Sequence, residues 1–197
     1  RLTDHGPTAL LPRGDGHYGL VHGVATGDAE AVLGLDDAAF LARVQDVLGW
    51  RAGRLLEVGP RSAYPLQRVV ADATTAPRAA LVGNAAQTLH PIGAQGFNLG
   101  LRDALVLAEA IAAHPGDAGA EPVLQTYAHR RHKDRERTLA FSDGLARLTS
   151  NPSALMRPLR SLGLLALDAD SGLQAQLAGG AMGYRGEVPA LCRRSAP

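Results

Sequence analysis

The 197-residue chain is 46% hydrophobic with a formal net charge of +1, which excludes the low-hydrophobicity, high-charge signature of disorder and gives no basis for nucleic-acid binding. It is long enough to bury a core, as one large domain or two small ones. A single cysteine, Cys192, rules out an internal disulfide or a cysteine metal cluster and favours a reducing compartment, and no apolar run approaches the ~20 residues of a membrane span.

Residues 8–12 and 17–24 are β-rich runs separated by Arg13-Gly14-Asp15-Gly16, a hairpin signal. Gly14-Asp15-Gly16-His17-Tyr18-Gly19 matches the dinucleotide fingerprint G-x-G-x-x-G, and Asp36 follows at about the right interval. That fingerprint must open a helix. Tyr18-Gly19-Leu20-Val21-His22-Gly23-Val24 favours β structure instead, so a plain hairpin is expected. Asp36 or Asp37 caps a helix through Leu48, with Phe40, Leu41, Val44, Val47 and Leu48 at helical spacing and Gly49 as its stop. The partner of that face should be a sheet. Residues 55–58 and 63–70 read as strands around Gly59-Pro60, with Tyr64-Pro65-Leu66 at a bend or edge, and residues 72–77 read as a linker. Trp50, Tyr64 and Tyr127 are read as packing aromatics.

The stretch from Arg78 to Ile111 organises the chain. Residues 79–82 form an apolar run of strand length ending in Gly83-Asn84, so a polar side chain stands where a buried strand emerges. His90-Pro91 then leads into the loop Ile92-Gly93-Ala94-Gln95-Gly96. The segment 97–113 carries only Arg102, Asp103 and Glu109 as charges, so it reads as a buried helix. Its first turn directs free N–H groups out of a glycine loop, where an electron-rich or anionic group belongs.

Beyond a break at residues 114–119, residues 121–150 read as a long helix. Val123, Leu124, Tyr127 and Ala128 form its early apolar face, and the run His129 to Arg137 (HRRHKDRER) is read as a solvated, ion-paired face. Two further helices are expected at 152–167 and 173–182; the former is leucine-rich with Arg157 and Arg160 and is read as covering a core, with a lipid surface as the alternative. His90 lacks a second His at helical spacing or a carboxylate cluster, so no metal site is expected and a loop-anchoring or site-lining role is favoured. Cys192 lies in a polar tail with no base beside it and is read as inert.

Gly83-Asn84-Ala85-Ala86-Gln87, followed by His90-Pro91-Ile92-Gly93-Ala94-Gln95-Gly96-Phe97-Asn98-Leu99-Gly100-Leu101-Arg102-Asp103, resembles the second flavin-binding motif of the FAD-dependent aromatic hydroxylases, GDAAH…P…GxGxN. The resemblance is closest to the ubiquinone-biosynthesis hydroxylases of the 2-octaprenyl-6-methoxyphenol hydroxylase type, in which Asn and Gln replace Asp and His. Gly93-Ala94 inverts the Ala-Gly order of that branch.

The resemblance implies an α/β fold, α+β in its substrate part, of which this chain is the C-terminal portion. Residues 1–76 would end the substrate-binding domain, residues 77–115 would supply an FAD-domain strand, flavin loop and buried helix, and residues 116–197 the C-terminal helices. It implies FAD as cofactor and NAD(P)H as co-substrate, with a flavin C4a-hydroperoxide passing OH to a phenolic, polyprenylated ring. Asn84 would bond the ribityl chain, and Gly83 and Ala85 would allow its close passage. Gln95, Gly96, Phe97 and Asn98 would present backbone N–H groups to the ring edge, while His90 and Pro91 are the candidate catalytic residues lining the ring face. O₂, a phenolic substrate, peripheral contact with the inner membrane from the cytoplasm, a biosynthetic complex and self-association are the implied partners and setting. The alternatives are a non-catalytic flavoprotein fragment or interaction module, or a flavin reductase or halogenase on the same scaffold.

Overall fold

The computed structural model describes residues 1–3, 6–150, 153, 156–181 and 188–190; Cys192 lies outside them. The chain forms two compact units, one of residues 1–65 with 147–160 and one of residues 66–146 with 161–197.

In the first unit, β1 (Leu2–Thr3), β2 (Gly6–Pro12) and β3 (Tyr18–His22) form an antiparallel sheet in that order. Pro12 pairs with Tyr18 across the Gly14-Asp15-Gly16 turn, so the fingerprint-like stretch is a hairpin, as its β-favouring residues require. After the short α1 (Ala29–Leu33), α2 spans Asp37–Leu48, with the Asp36 carboxylate accepting from Ala39 N and Gly49 ending it at a φ of 68°. Phe40 and Val44 of α2 bury with Val32 against Leu20 and Val24 of the hairpin and against Leu55 and Val58. The helix thus lies on a sheet, as its spacing predicts.

Residues 55–58 and 63–68 are not strands. Leu55 and Val58 already pack on α2, the Leu55 N–H donates to Gln45 Oε1, and Pro60 and Pro65 have no N–H to give a ladder. Trp50 and Tyr64 are 71% and 78% exposed, not packed.

In the second unit, β4 (Val69–Val70) pairs antiparallel with β7 (Gln87–Thr88), and β5 (Thr75–Ala76) with β6 (Ala79–Ala80). The expected buried strand 79–82 is therefore a two-residue strand in a tight hairpin, and Leu81 and Val82 beyond it are exposed. The helix expected at 97–113 is α3 (Gln95–Ala113), and it is not buried all round. Its inward stripe is Gln95, Leu99, Arg102, Asp103, Val106 and Ala110, while Phe97, Leu101 and Ile111 face outward. Positions 99, 102, 103, 106 and 110 follow the helical repeat, so two charges fall on the buried side by register alone.

α4 spans Glu121–Ser150. Val123 and Tyr127 close a core with Val106 and Ala110 of α3. The run 129–137 is not simply a solvated face: Arg131 is 1% exposed. α5 (Met156–Ala169) and α6 (Ser171–Ala181) follow, and Leu162, Leu164 and Leu165 of α5 are exposed rather than covering a core.

Candidate functional site

A cavity of about 750 Å³ opens in the second unit, lined by Val82, Gly83, Asn84, Thr88, Leu89, His90, Pro91, Ala94, Gly96, Phe97, Gly100 and Leu101. Two 3₁₀ turns, Gly83–Ala85 and Pro91–Gly93, and the first turns of α3 shape it. Of the residues singled out by sequence, Gly83, Asn84, His90, Pro91, Gly96 and Phe97 meet here. Ala85, Gln95 and Asn98 are not among the lining residues. Gln95 is buried and its amide donates to Gly93 O, tying α3 to the preceding turn.

Backbone geometry makes the cavity. Gly83 has a φ of 59°, and a Cβ on Gly100 would stand 3.0 Å from Gly83 Cα. The end of the hairpin and α3 therefore touch glycine to glycine. Ala94 caps α3 in the left-handed region, φ 50° and ψ 29°, without a side-chain cap, and its N–H is returned to Pro91 O. By helical position the N–H groups of Gln95, Gly96 and Phe97 have no partner one turn back. They sit at the positive end of a 19-residue helix. A Cβ on Gly96 would meet nothing within 4 Å, so that position faces open space.

Behind the cavity lies a set of charges, of which the sequence reading left those of α4 on solvent and gave those of α3 no partner. Asp103 Oδ2 accepts from Gly83 N at 3.0 Å and from Gln87 Nε2 at 2.9 Å, and its Oδ1 accepts from Arg131 Nε at 2.7 Å. Arg131 Nη1 donates to Asp134 at 2.7 Å, and Asp134 in turn accepts from Arg102 Nε at 2.8 Å. Two residues of α3 and two of α4 thus form a buried quartet of zero net charge. Arg135 extends it, donating to Gln87 Oε1, Ala71 O and Ala86 O. Burial, and then the Asp103 charge, push the Tyr127 phenol well above its ordinary value, so its hydroxyl stays protonated and donates to Leu81 O at 2.7 Å. The Ser142 hydroxyl donates to His90 O at 3.1 Å, fixing the start of the Pro91 turn.

The missed residues left a faint signal. Arg102-Asp103 on an otherwise apolar helix, and Arg131 with Asp134 three residues apart in a charge run, are complementary pairs. Period alone cannot show that the two pairs meet.

As a container, the cavity suits a small molecule with an apolar body and an electron-rich edge. Its volume is that of a small-molecule site, Val82, Leu89, Phe97 and Leu101 give it apolar walls, and polar groups converge only at Asn84 and the helix start. Gly96 is a cradle that a side chain would fill.

Comparison with known proteins agrees with this chemistry. The family model described as "FAD binding domain" matches residues 6–142. The chain is 37% identical over 166 residues to ubiquinone hydroxylase UbiL of Rhodospirillum rubrum, covering 83% of this chain and 39% of that protein. It is 32% identical over 179 residues to 3-demethoxyubiquinol 3-hydroxylase of Escherichia coli, covering 89% and 46% respectively. Among solved structures, the Diels-Alderase PyrE3 of pyrroindomycin biosynthesis superposes with a TM-score of 0.72 at 24% identity over 96% of this chain and 41% of its own, a likeness of fold. The chain spans about 40% of the length of the first curated relatives it matches.

Proposed function

The chain belongs to the FAD binding domain family of FAD-dependent aromatic hydroxylases, and from that premise we propose that it forms the ring and ribityl end of the flavin site in a monooxygenase that hydroxylates a phenolic precursor of ubiquinone. The observation that carries this reading is the cavity where the Gly83–Ala85 turn, the Pro91–Gly93 turn and the open start of α3 converge.

FAD, reduced by NAD(P)H, supplies the activation of O₂ that no side chain can provide. The N–H groups of Gln95, Gly96 and Phe97 would meet the edge of the ring where negative charge gathers on reduction, and because they are held by a helix they would need no reorganisation. Asn84 would bond the ribityl chain, while Gly83 and Ala85 would leave room for its passage. His90 and Pro91 would line the ring face and orient the phenol. Val82, Phe97 and Leu101 would exclude water from the reacting atoms. A polyprenyl tail on the substrate would partition into lipid, which supports reading a cytoplasmic enzyme in peripheral contact with the inner membrane; Leu162 and Leu165 of α5, exposed at i, i+3 spacing, are the candidate contact.

Gly96→Val tests the reading. Since a Cβ at this position meets no protein atom within 4 Å, the fold should stand while affinity for FAD, titrated by fluorescence on protein from the complete reading frame, falls tenfold or more. Wild-type affinity in this variant would remove α3 from the flavin site.

A further inference from the structure

We propose that Asp103 and Arg131 are positioning residues that hold the Gly83–Ala85 turn in the shape the flavin meets, so that α4, which lends no residue to the cavity wall, governs the geometry of that wall. This inference rests on the flavin reading above.

The path is short, and each link in it is a hydrogen bond. Gly83 lines the cavity, its φ of 59° is one that other residues resist, and its N–H is held by Asp103 Oδ2 at 3.0 Å. The same oxygen receives Gln87 Nε2, so both ends of the segment from Gly83 to Gln87 are fixed on a single carboxylate. That carboxylate is oriented by Arg131 Nε on its other oxygen, and Arg131 is oriented by Asp134. Asn84 lies inside the pinned segment, one residue from Gly83. Rotating the carboxylate would move the Gly83 amide and with it the direction of the Asn84 side chain.

Stability alone does not account for the arrangement. Buried ion pairs gain little over apolar residues of the same size, because desolvation offsets their attraction. Arg131 is 1% exposed and its Nη2 has no hydrogen-bond partner among the described residues, a loss that an apolar side chain would avoid. What the charges provide and an apolar pair would not is direction: two donors from the turn and one from α4, each with a preferred angle at one carboxylate.

A second ion pair between the same helices serves as the control. Arg130 Nη2 donates to Glu109 at 2.6 Å, joining α4 to α3, and Glu109 also accepts from Ala190 N. The experiment compares Asp103→Asn, Arg131→Lys and Glu109→Gln in the protein expressed from its complete reading frame. Three quantities are read: FAD dissociation constant, visible circular dichroism of the bound flavin at saturation, and melting temperature of the flavin-free protein. Asp103→Asn should weaken FAD tenfold or more and change the flavin dichroism. Arg131→Lys should do the same to a smaller degree, and Glu109→Gln should lower the melting temperature with FAD affinity within twofold of wild type and an unchanged spectrum. If the first two variants lower the melting temperature but show the wild-type spectrum at saturation, the pair is only structural and the inference falls.

A measurement on the unaltered protein guards against variants that fail to fold. Amide exchange at Gly83 should be as slow as in the buried part of α3, although the turn borders an open cavity. Exchange at Gly83 as fast as at the exposed Asn84 would overturn the inference. Wild-type protein that binds no flavin would instead sink the reading on which it rests, leaving the exchange result to stand by itself.

Discussion

Ala94 shows how much one residue's backbone carries. It is one of two non-glycine residues with positive φ among those described, and it starts the helix that closes the cavity. The inverted Gly93-Ala94 order, visible in the sequence, places a Cβ where a glycine would rest unstrained. Ala94→Gly should therefore raise stability by about 1 kcal/mol, read as a rise of roughly 2–4 °C in melting temperature for a chain of this size. Asn84 is exposed in the cavity wall, so Asn84→Ala should leave the melt of the flavin-free protein unchanged and cost about 0.5–1.5 kcal/mol of flavin binding, measured by titration. His22 makes a pH prediction. Arg43 Nε donates to its Nε2, so the proton sits on Nδ1, which donates to Thr8 Oγ1. Burial, then the Arg43 charge, lower its pKa from 6.5. The folded state thus holds His22 neutral, and its contribution to stability is complete above pH 6.5 and is lost as pH falls below that value. His22→Gln should flatten the pH dependence of chemical unfolding between neutral and mildly acid conditions.

At the level of elements, those set by local rules were readable and those set by pairing were not. The hairpin followed from Gly14-Asp15-Gly16, and α2 followed from Asp36, its apolar spacing and Gly49. Residues 55–58 have the composition of a strand yet form none, because composition does not name a partner and the side chains found α2 first. Cavity-lining residues were legible because glycines, His90-Pro91 and a helix start are local signals. The charges behind it were not, since Asp103 and Arg131 are 28 residues apart and Arg131 looks like surface in its charge run, so nothing local names it as the partner of Asp103. Helix packing decided the matter: the stripe that carries Leu99, Val106 and Ala110 inward carries Arg102 and Asp103 with them. The same packing gives a prediction for Tyr127, whose hydroxyl is the link from α4 to Leu81 O. Tyr127→Phe keeps the core contact and strands that carbonyl, at a cost of about 1–3 kcal/mol in denaturant unfolding.

For the whole molecule, the flavin site proposed above serves only the ring and ribityl half of the cofactor, because the one G-x-G-x-x-G match, Gly14 to Gly19, belongs to the β2–β3 hairpin rather than to a helix start. Residues 1–197 expressed by themselves should consequently bind FAD no more tightly than FMN, since that fingerprint match opens no helix to receive the pyrophosphate. A marked preference for FAD in equilibrium dialysis would contradict this. Val82, Phe97 and Leu101 together expose apolar surface in the cavity wall, with Phe97 79% exposed. Those residues should make the isolated chain self-associate, which sedimentation would report.

The glycine-to-glycine contact between Gly83 and Gly100 has a mechanical side. With no side chain between two backbones there is nothing to compress or swing aside, so the floor of the cavity behaves as a rigid weld. Its adjustable part is formed by the exposed side chains of Phe97 and Leu101, which hop between rotamers in nanoseconds at most. Breadth of accepted ring substituents should accordingly be tuned by side-chain size at Phe97 and Leu101, while bulk added at the weld would shift the floor itself and be rejected for every substrate alike.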